Sequence, residues 1–136
     1  MTLQRDVVLD SFALLAYFQR EPGAQRVMDL MRSSDGLYMC SINLGEVFYK
    51  TVRTRGPDRA RVALALVARG PIEIVDPDRD LVLAAAYLKG LHPIAYADCF
   101  AAALALRMGA TLVTGDRDFE RLQDELTIEW LPAQKA

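Results

Sequence analysis

The chain has 136 residues, 52% of them apolar and 25% charged, with a net charge of −2. That length suits one hydrophobic core in a single domain spanning 1–136, and the balance is that of an ordinary soluble globular protein. The small negative charge excludes attraction of the whole molecule to nucleic acid or anionic lipid, so polyanion binding would need a local basic patch or bound cations.

At the N-terminus, Arg5 precedes an apolar run, but Asp6 and Asp10 interrupt it and no small-residue cleavage site follows, so a signal peptide is not expected. Val7, Val8 and Leu9 suit a buried parallel strand that ends on Asp10. Residues 11–18 read as a helix stopping near Glu21-Pro22-Gly23, and 24–32 as a second with Val27, Leu30 and Met31 on one face. The strand 37–40 precedes Ser41, which is placed to cap a helix where Leu44, Val47, Phe48 and Val52 recur at helical spacing. Gly56-Pro57 ends that helix, 58–68 forms the next, and Gly70-Pro71 turns the chain into a strand at 72–75.

A helix over 78–88 is expected to close at Gly90. Pro93 stands where helices begin, and the Ala-rich run 95–108, ended by Gly109, is the strongest helix signal in the chain. The apolar region 94–113 contains Asp98, Arg107 and Gly109, which disqualify it as a membrane span. A strand at 111–114, a short helix at 117–125 and a strand at 128–131 follow. Strands alternate with helices throughout, which predicts an α/β fold: a parallel sheet covered by helices on both faces. Cys40 and Cys99 have no CxxC spacing, and His92 is the lone histidine. Together they suit a reducing, cytoplasmic setting, argue against a thiolate zinc site, and exclude paired-imidazole RNA cleavage and a multi-His metal centre.

Four carboxylates stand out. Asp10 ends the first strand and Asp116 follows the fourth, so both belong at the carboxyl edge of a parallel sheet, where ligands gather. Helix capping explains either one alone. Glu46 lies in the first turns of the helix after the second strand; a capping box with Asn43 or a pair with Lys50 explains it as well as function does. Asp98 is the most telling, because it sits in a mostly apolar helix start, and a buried carboxylate is costly unless paired, hydrogen-bonded or metal-bound. Two carboxylates about 5 Å apart at an effective dielectric near 20 repel by roughly 3 kcal/mol. If the four converge, they must raise their own pKa values or recruit a cation. Oxygen-only ligands select Mg²⁺ or Mn²⁺, and such a site at a sheet edge points to phosphoryl chemistry.

At Val7-Val8-Leu9-Asp10-Ser11, Ser41-Ile42-Asn43-Leu44-Gly45-Glu46-Val47, Tyr96-Ala97-Asp98 and Thr114-Gly115-Asp116-Arg117-Asp118-Phe119, the sequence resembles the PIN-domain ribonucleases, and most closely the VapC toxins of bacterial toxin–antitoxin pairs. The likeness runs from about residue 6 to residue 131. It implies a three-layer α/β/α domain with a five-stranded parallel sheet, and a metal-dependent endoribonuclease with Asp10, Glu46, Asp98 and Asp116 as its acidic site. Mg²⁺ or Mn²⁺ would be held chiefly by Asp10 and Asp98, with Asp116 beside them. Ser11 and Thr114 would support the ligands, and Asp118 matches a position that is often acidic in the family. The resemblance also implies RNA as substrate, a cognate VapB-type antitoxin and a homodimer. Ala95 departs from the pattern, since family members often carry a Ser or Thr cap there.

Lys50, Arg53, Arg55, Arg59 and Arg61 form the best local basic patch, against only Asp58. They could hold RNA phosphates or acidic parts of a partner, or form a solvated charged face. Tyr17, Phe18, Tyr38, Tyr49 and Trp130 read as core or interface residues. A receiver-type phosphoacceptor domain would need a paired acid after the first strand and a Lys near the last; Ser11 follows Asp10, and no Lys ends a strand. A housekeeping PIN nuclease in RNA processing, or a scaffold of the same architecture, competes with the toxin reading.

Overall fold

The computed structural model describes residues 6–33 and 36–133; Arg5, with the start of the leader-like stretch, lies outside them. Strands β1 (Val7–Leu9), β2 (Leu37–Cys40), β3 (Ile72–Val75), β4 (Thr111–Thr114) and β5 (Ile128–Trp130) form one sheet, parallel throughout, in the order β3-β2-β1-β4-β5. Between them run α1 (Ser11–Phe18), α2 (Ala24–Arg32), α3 (Ser41–Arg55), α4 (Pro57–Arg69), α5 (Arg79–Leu91), α6 (Tyr96–Met108) and a 3₁₀ helix, Arg117–Leu122.

Alternation along the short strands builds two cores. Val8, Cys40 and Leu112 point to one face, where they meet Leu81, Ala85 and Leu88 of α5, the buried side of α6, and Phe119 and Leu122. Leu9, Leu37, Met39, Ile72 and Val113 point to the other, against Leu14 of α1, Val27 of α2, Val47 of α3 and Val67 of α4. Side chains two residues apart share a face, so even a three-residue strand supplies both layers. Helix α6 is buried from Asp98 to Ala105, and its alanines let it lie close to its neighbours. The result is a three-layer α/β/α domain.

The sheet order determines where a ligand can enter. From β1 the chain steps outward to β2 and β3, then returns to the other side of β1 as β4 and β5. The switch point is therefore the gap between the carboxyl ends of β1 and β4, where an open α/β sheet leaves a crevice. Register pairs Leu9 with Val113, which leaves the next residues, Asp10 and Thr114, side by side at its mouth.

Several element ends differ from the sequence expectations. Ser41 is not a cap: Cys40 occupies the N-cap position of α3 with extended backbone, and no side-chain hydrogen bond closes that turn. Helix α5 passes through Gly90 to Leu91 and stops only where His92 turns extended (φ −132°, ψ 139°), as a residue preceding proline must. Pro93 lies upstream of α6, whose N-cap is Ala95 with no side-chain bond. Helix α4 begins at Pro57 and reaches Arg69, the segment after Asp116 is a 3₁₀ turn ending at Leu122, and β5 stops at Trp130. Asp78 caps α5 at the Leu81 N–H (2.8 Å) and takes both arms of Arg107, which straps α5 to α6. Cys40 and Cys99 are buried free thiols. Among the described residues no helix is long and apolar enough to cross a membrane.

Gly115 is needed between β4 and the acids. A Cβ there would lie 2.2 Å from Cε1 and 2.5 Å from Cζ of Phe12. The ring is partly buried and packs against the core that holds Leu9 and Val113, so it must shift to admit the methyl. Gly115→Ala should therefore cost roughly 1–3 kcal/mol, as overpacking does, and shift the Asp116 turn; a melting temperature equal to the wild type's would contradict this.

Candidate active site

Asp10 is 1% exposed and closes two motifs at once. As N-cap of α1 it accepts the Ala13 N–H on Oδ1 (2.9 Å), and across the switch point the Thr114 hydroxyl donates to Oδ2 at 2.5 Å. Thr114 Oγ1 in turn accepts the Asp116 N–H at 3.0 Å, so one hydroxyl ties the ends of both strands together. Burial pushes the Asp10 carboxyl up to about 7; the two hydrogen bonds oppose this, and the charges of Asp98 and Asp116 add to it.

Asp98 enters from the first turn of α6 and is 6% exposed. Its pKa is also raised to about 7, first by burial, then by Asp116, Glu46 and Asp118; Lys50 pulls the other way. The α6 terminus is fixed by Asn43, fully buried in the first turn of α3, whose side-chain amide donates to the Ala97 carbonyl at 3.0 Å. Asn43 is thus no half of a capping box with Glu46 but a tie between two helix starts.

Glu46 is held at both oxygens. The Ser11 hydroxyl donates to Oε1 at 2.5 Å, and Lys50 Nζ lies 3.3 Å from Oε2. Asp116 caps the 3₁₀ helix by accepting the Asp118 N–H at 2.9 Å, which folds Asp118 back towards the cluster. One carboxylate oxygen each from Asp98, Asp116 and Asp118 lies within 4.8 Å of the others. Asp10 and Glu46 act on this trio through their charge.

The donor set suits a hard divalent ion. It is all oxygen, and opposite ligands of Mg²⁺ at about 2.1 Å stand roughly 4.2 Å apart, so small side-chain rotations would close the trio around one ion. Asp10 retains lone pairs beyond its two hydrogen bonds and can join it.

The five basic residues do not form one array. Lys50 faces the acids, the Arg53 guanidinium lies 4.9 Å from the Tyr49 ring centroid, and Arg61 pairs with Asp58 at 3.1 Å. Arg55 and Arg59 line an open cavity of about 510 Å³ with Gln19 and Thr54, beyond the far end of α3. Tyr17, Phe18, Tyr38 and Trp130 pack partly buried against the two cores, whereas Tyr49 is exposed. Sequence reasoning missed Asn43 as a tie; its only signal was an amide side chain three residues before a suspect acid.

An α/β/α domain with carboxylates gathered at its switch point is the class that fold and site define together. The chain belongs to the PIN-domain family, whose profile matches residues 7–125. No curated protein sequence matches. Solved structures similar to it include a Rickettsia felis VapBC2 bound to a promoter DNA fragment (TM-score 0.73, 20% identity, 93% of this chain and 98% of that one). A Salmonella typhimurium VapBC bound to DNA is alike to the same degree (0.73, 21%, 93% and 98%). Mycobacterium tuberculosis VapC20, a sarcin–ricin loop cleaving toxin, is a third (0.72, 16%, 86% and 95%).

Proposed function

We propose that this PIN domain is a divalent-metal-dependent endoribonuclease and the toxin of a VapBC-type pair, acting in the cytoplasm. The observation that carries the reading is the gathering of Asp98, Asp116 and Asp118 within 4.8 Å, with Asp10 and Glu46 alongside, at the sheet's switch point. Asp10, Asp98 and Asp116, with Asp118, are the residues that would hold the ion. Mg²⁺ or Mn²⁺ bound there would activate a water and stabilise the leaving oxygen of a phosphodiester. Thr114 keeps Asp10 oriented and the Asp116 turn in place, and Ser11 and Lys50 hold the two oxygens of Glu46 beside the cluster.

RNA as substrate is supported by the resemblance to PIN-domain ribonucleases and by a similar solved structure, that of a sarcin–ricin loop cleaving toxin. A VapB-type antitoxin and a homodimer are the partners proposed, the first because similar solved structures are VapBC complexes. A housekeeping PIN nuclease would share the whole site and differ only in its cellular role. Purified protein should cut single-stranded or loop RNA with Mn²⁺ or Mg²⁺ and stop with chelator; metal-independent cutting, or none, would sink the mechanism. Growth arrest on expression, relieved by a small protein encoded beside it, separates toxin from housekeeping enzyme. Replacing Arg53 and Arg55 together with Ala should weaken RNA binding and flatten its dependence on salt. Unchanged binding would remove that patch from the RNA path.

A further inference from the structure

Lys50 belongs to the acidic pocket rather than to the arginines it precedes in sequence. It lies one turn beyond Glu46 on α3, with its Nζ 3.3 Å from Glu46 Oε2. Glu46 is itself fixed, because Ser11 holds Oε1 from the neighbouring helix at 2.5 Å. The ammonium is therefore stationed at the rim of the cluster. The charges that raise Asp10 and Asp98 are carboxylates, and among the described residues Lys50 is the cation that opposes them at Asp98. The next basic residue on α3, Arg53, lies over the Tyr49 ring and not at the acids.

We propose that Lys50 is the built-in counter-cation of the acidic pocket: it balances the Glu46–Asp98 side when no metal is bound and opposes the divalent ion, so that it sets the metal affinity of the site. This rests on the metal-site reading above. An ammonium on a flexible four-carbon stem, with the side chain 44% exposed, can withdraw into solvent when a dication arrives. In the metal-free protein it relieves carboxylate repulsion. In the metal-bound protein the same charge is less favourable, because the ion already offsets part of the acids' charge. Its stabilising effect must therefore shrink when the ion binds. An ordinary i,i+4 helix pair would do otherwise, adding the same small stabilisation with and without metal.

The test is Mn²⁺ titration by calorimetry, with thermal unfolding in chelator and in saturating Mn²⁺, for wild type, Lys50→Gln and Lys50→Arg. Lys50→Gln should bind Mn²⁺ roughly tenfold more tightly, the order of the Coulomb repulsion between a unit charge and a nearby dication in a water-like dielectric. It should melt below wild type in chelator and gain more on adding Mn²⁺, while Lys50→Arg follows wild type in both. Equal or weaker Mn²⁺ binding by Lys50→Gln overturns the proposal, and if wild type still cuts RNA, the nuclease reading stands without it. If instead Lys50→Gln tightens binding but wild type cuts no RNA, the nuclease reading fails alone. A wild type that binds no Mn²⁺ overturns both.

Discussion

Asp98→Asn should abolish RNA cleavage and, at the same time, make the metal-free protein more stable. Activity should fall at least ~10³-fold, which corresponds to about 4 kcal/mol of lost transition-state stabilisation. The amide keeps the shape of the side chain but removes a charge that the metal site needs. Stability moves the other way because of where Asp98 sits. It is 6% exposed, and the charges of Asp116, Glu46 and Asp118 raise its pKa further. A carboxylate kept in such surroundings is a burden the fold carries for another purpose. At pH 8, where the carboxylate is ionised, relieving it should gain on the order of 1–2 kcal/mol and raise the melting temperature by several degrees. Calorimetric melts in chelator, beside a cleavage assay, check both halves. A variant that cuts at the wild-type rate, or one that melts lower than wild type, would show that Asp98 serves the fold and not the chemistry.

The sequence carried the strands of this fold plainly, since each short apolar run became a strand at nearly the expected residues. The strand order was not legible, because nothing local records that β4 returns to the far side of β1. That order is what makes the Asp10–Asp116 edge a switch point and not just two strand ends. Asp98 was legible as a charge in an apolar stretch. Asp118 was named only through the family resemblance, since its place depends on a 3₁₀ turn that Asp116 closes onto its amide, whereas an ordinary helix was expected there. The same limit applies to Ser41 and Asn43: which residue caps α3 and which reaches α6 depends on how the two helix starts approach. Lys50 was seen both as a partner of Glu46 and as one of a basic group. Only the fold separates it from the arginines.

Metal affinity should climb steeply with pH up to about 7 and level off above it, while the metal-free protein loses stability over the same range. Asp10 and Asp98 both have pKa values raised from 3.8 to about 7. The sign follows from proton counting. Between about pH 4 and pH 7 the folded protein holds protons that the unfolded chain has released, so the contribution of these groups is fully favourable below about 4 and is lost as pH rises through 7. A metal needs the ionised forms and must displace those protons. Below pH 7 each unit of pH should therefore change the affinity roughly ten- to a hundredfold, according to whether one or both acids must ionise. Stability curves with and without Mn²⁺ should diverge on going from pH 5.5 to 8, because the bound form gains RT ln(1 + [L]/Kd) as Kd falls. Calorimetry in buffers of different ionisation enthalpy counts the protons directly: one to two released at pH 6, close to none at pH 9. An affinity flat between pH 5.5 and 7 would mean that neither acid meets the ion. Thr114→Val tests the cause from the other side. Its hydroxyl stabilises the ionised form of Asp10, so losing it should raise that pKa further and move the rise in affinity to higher pH.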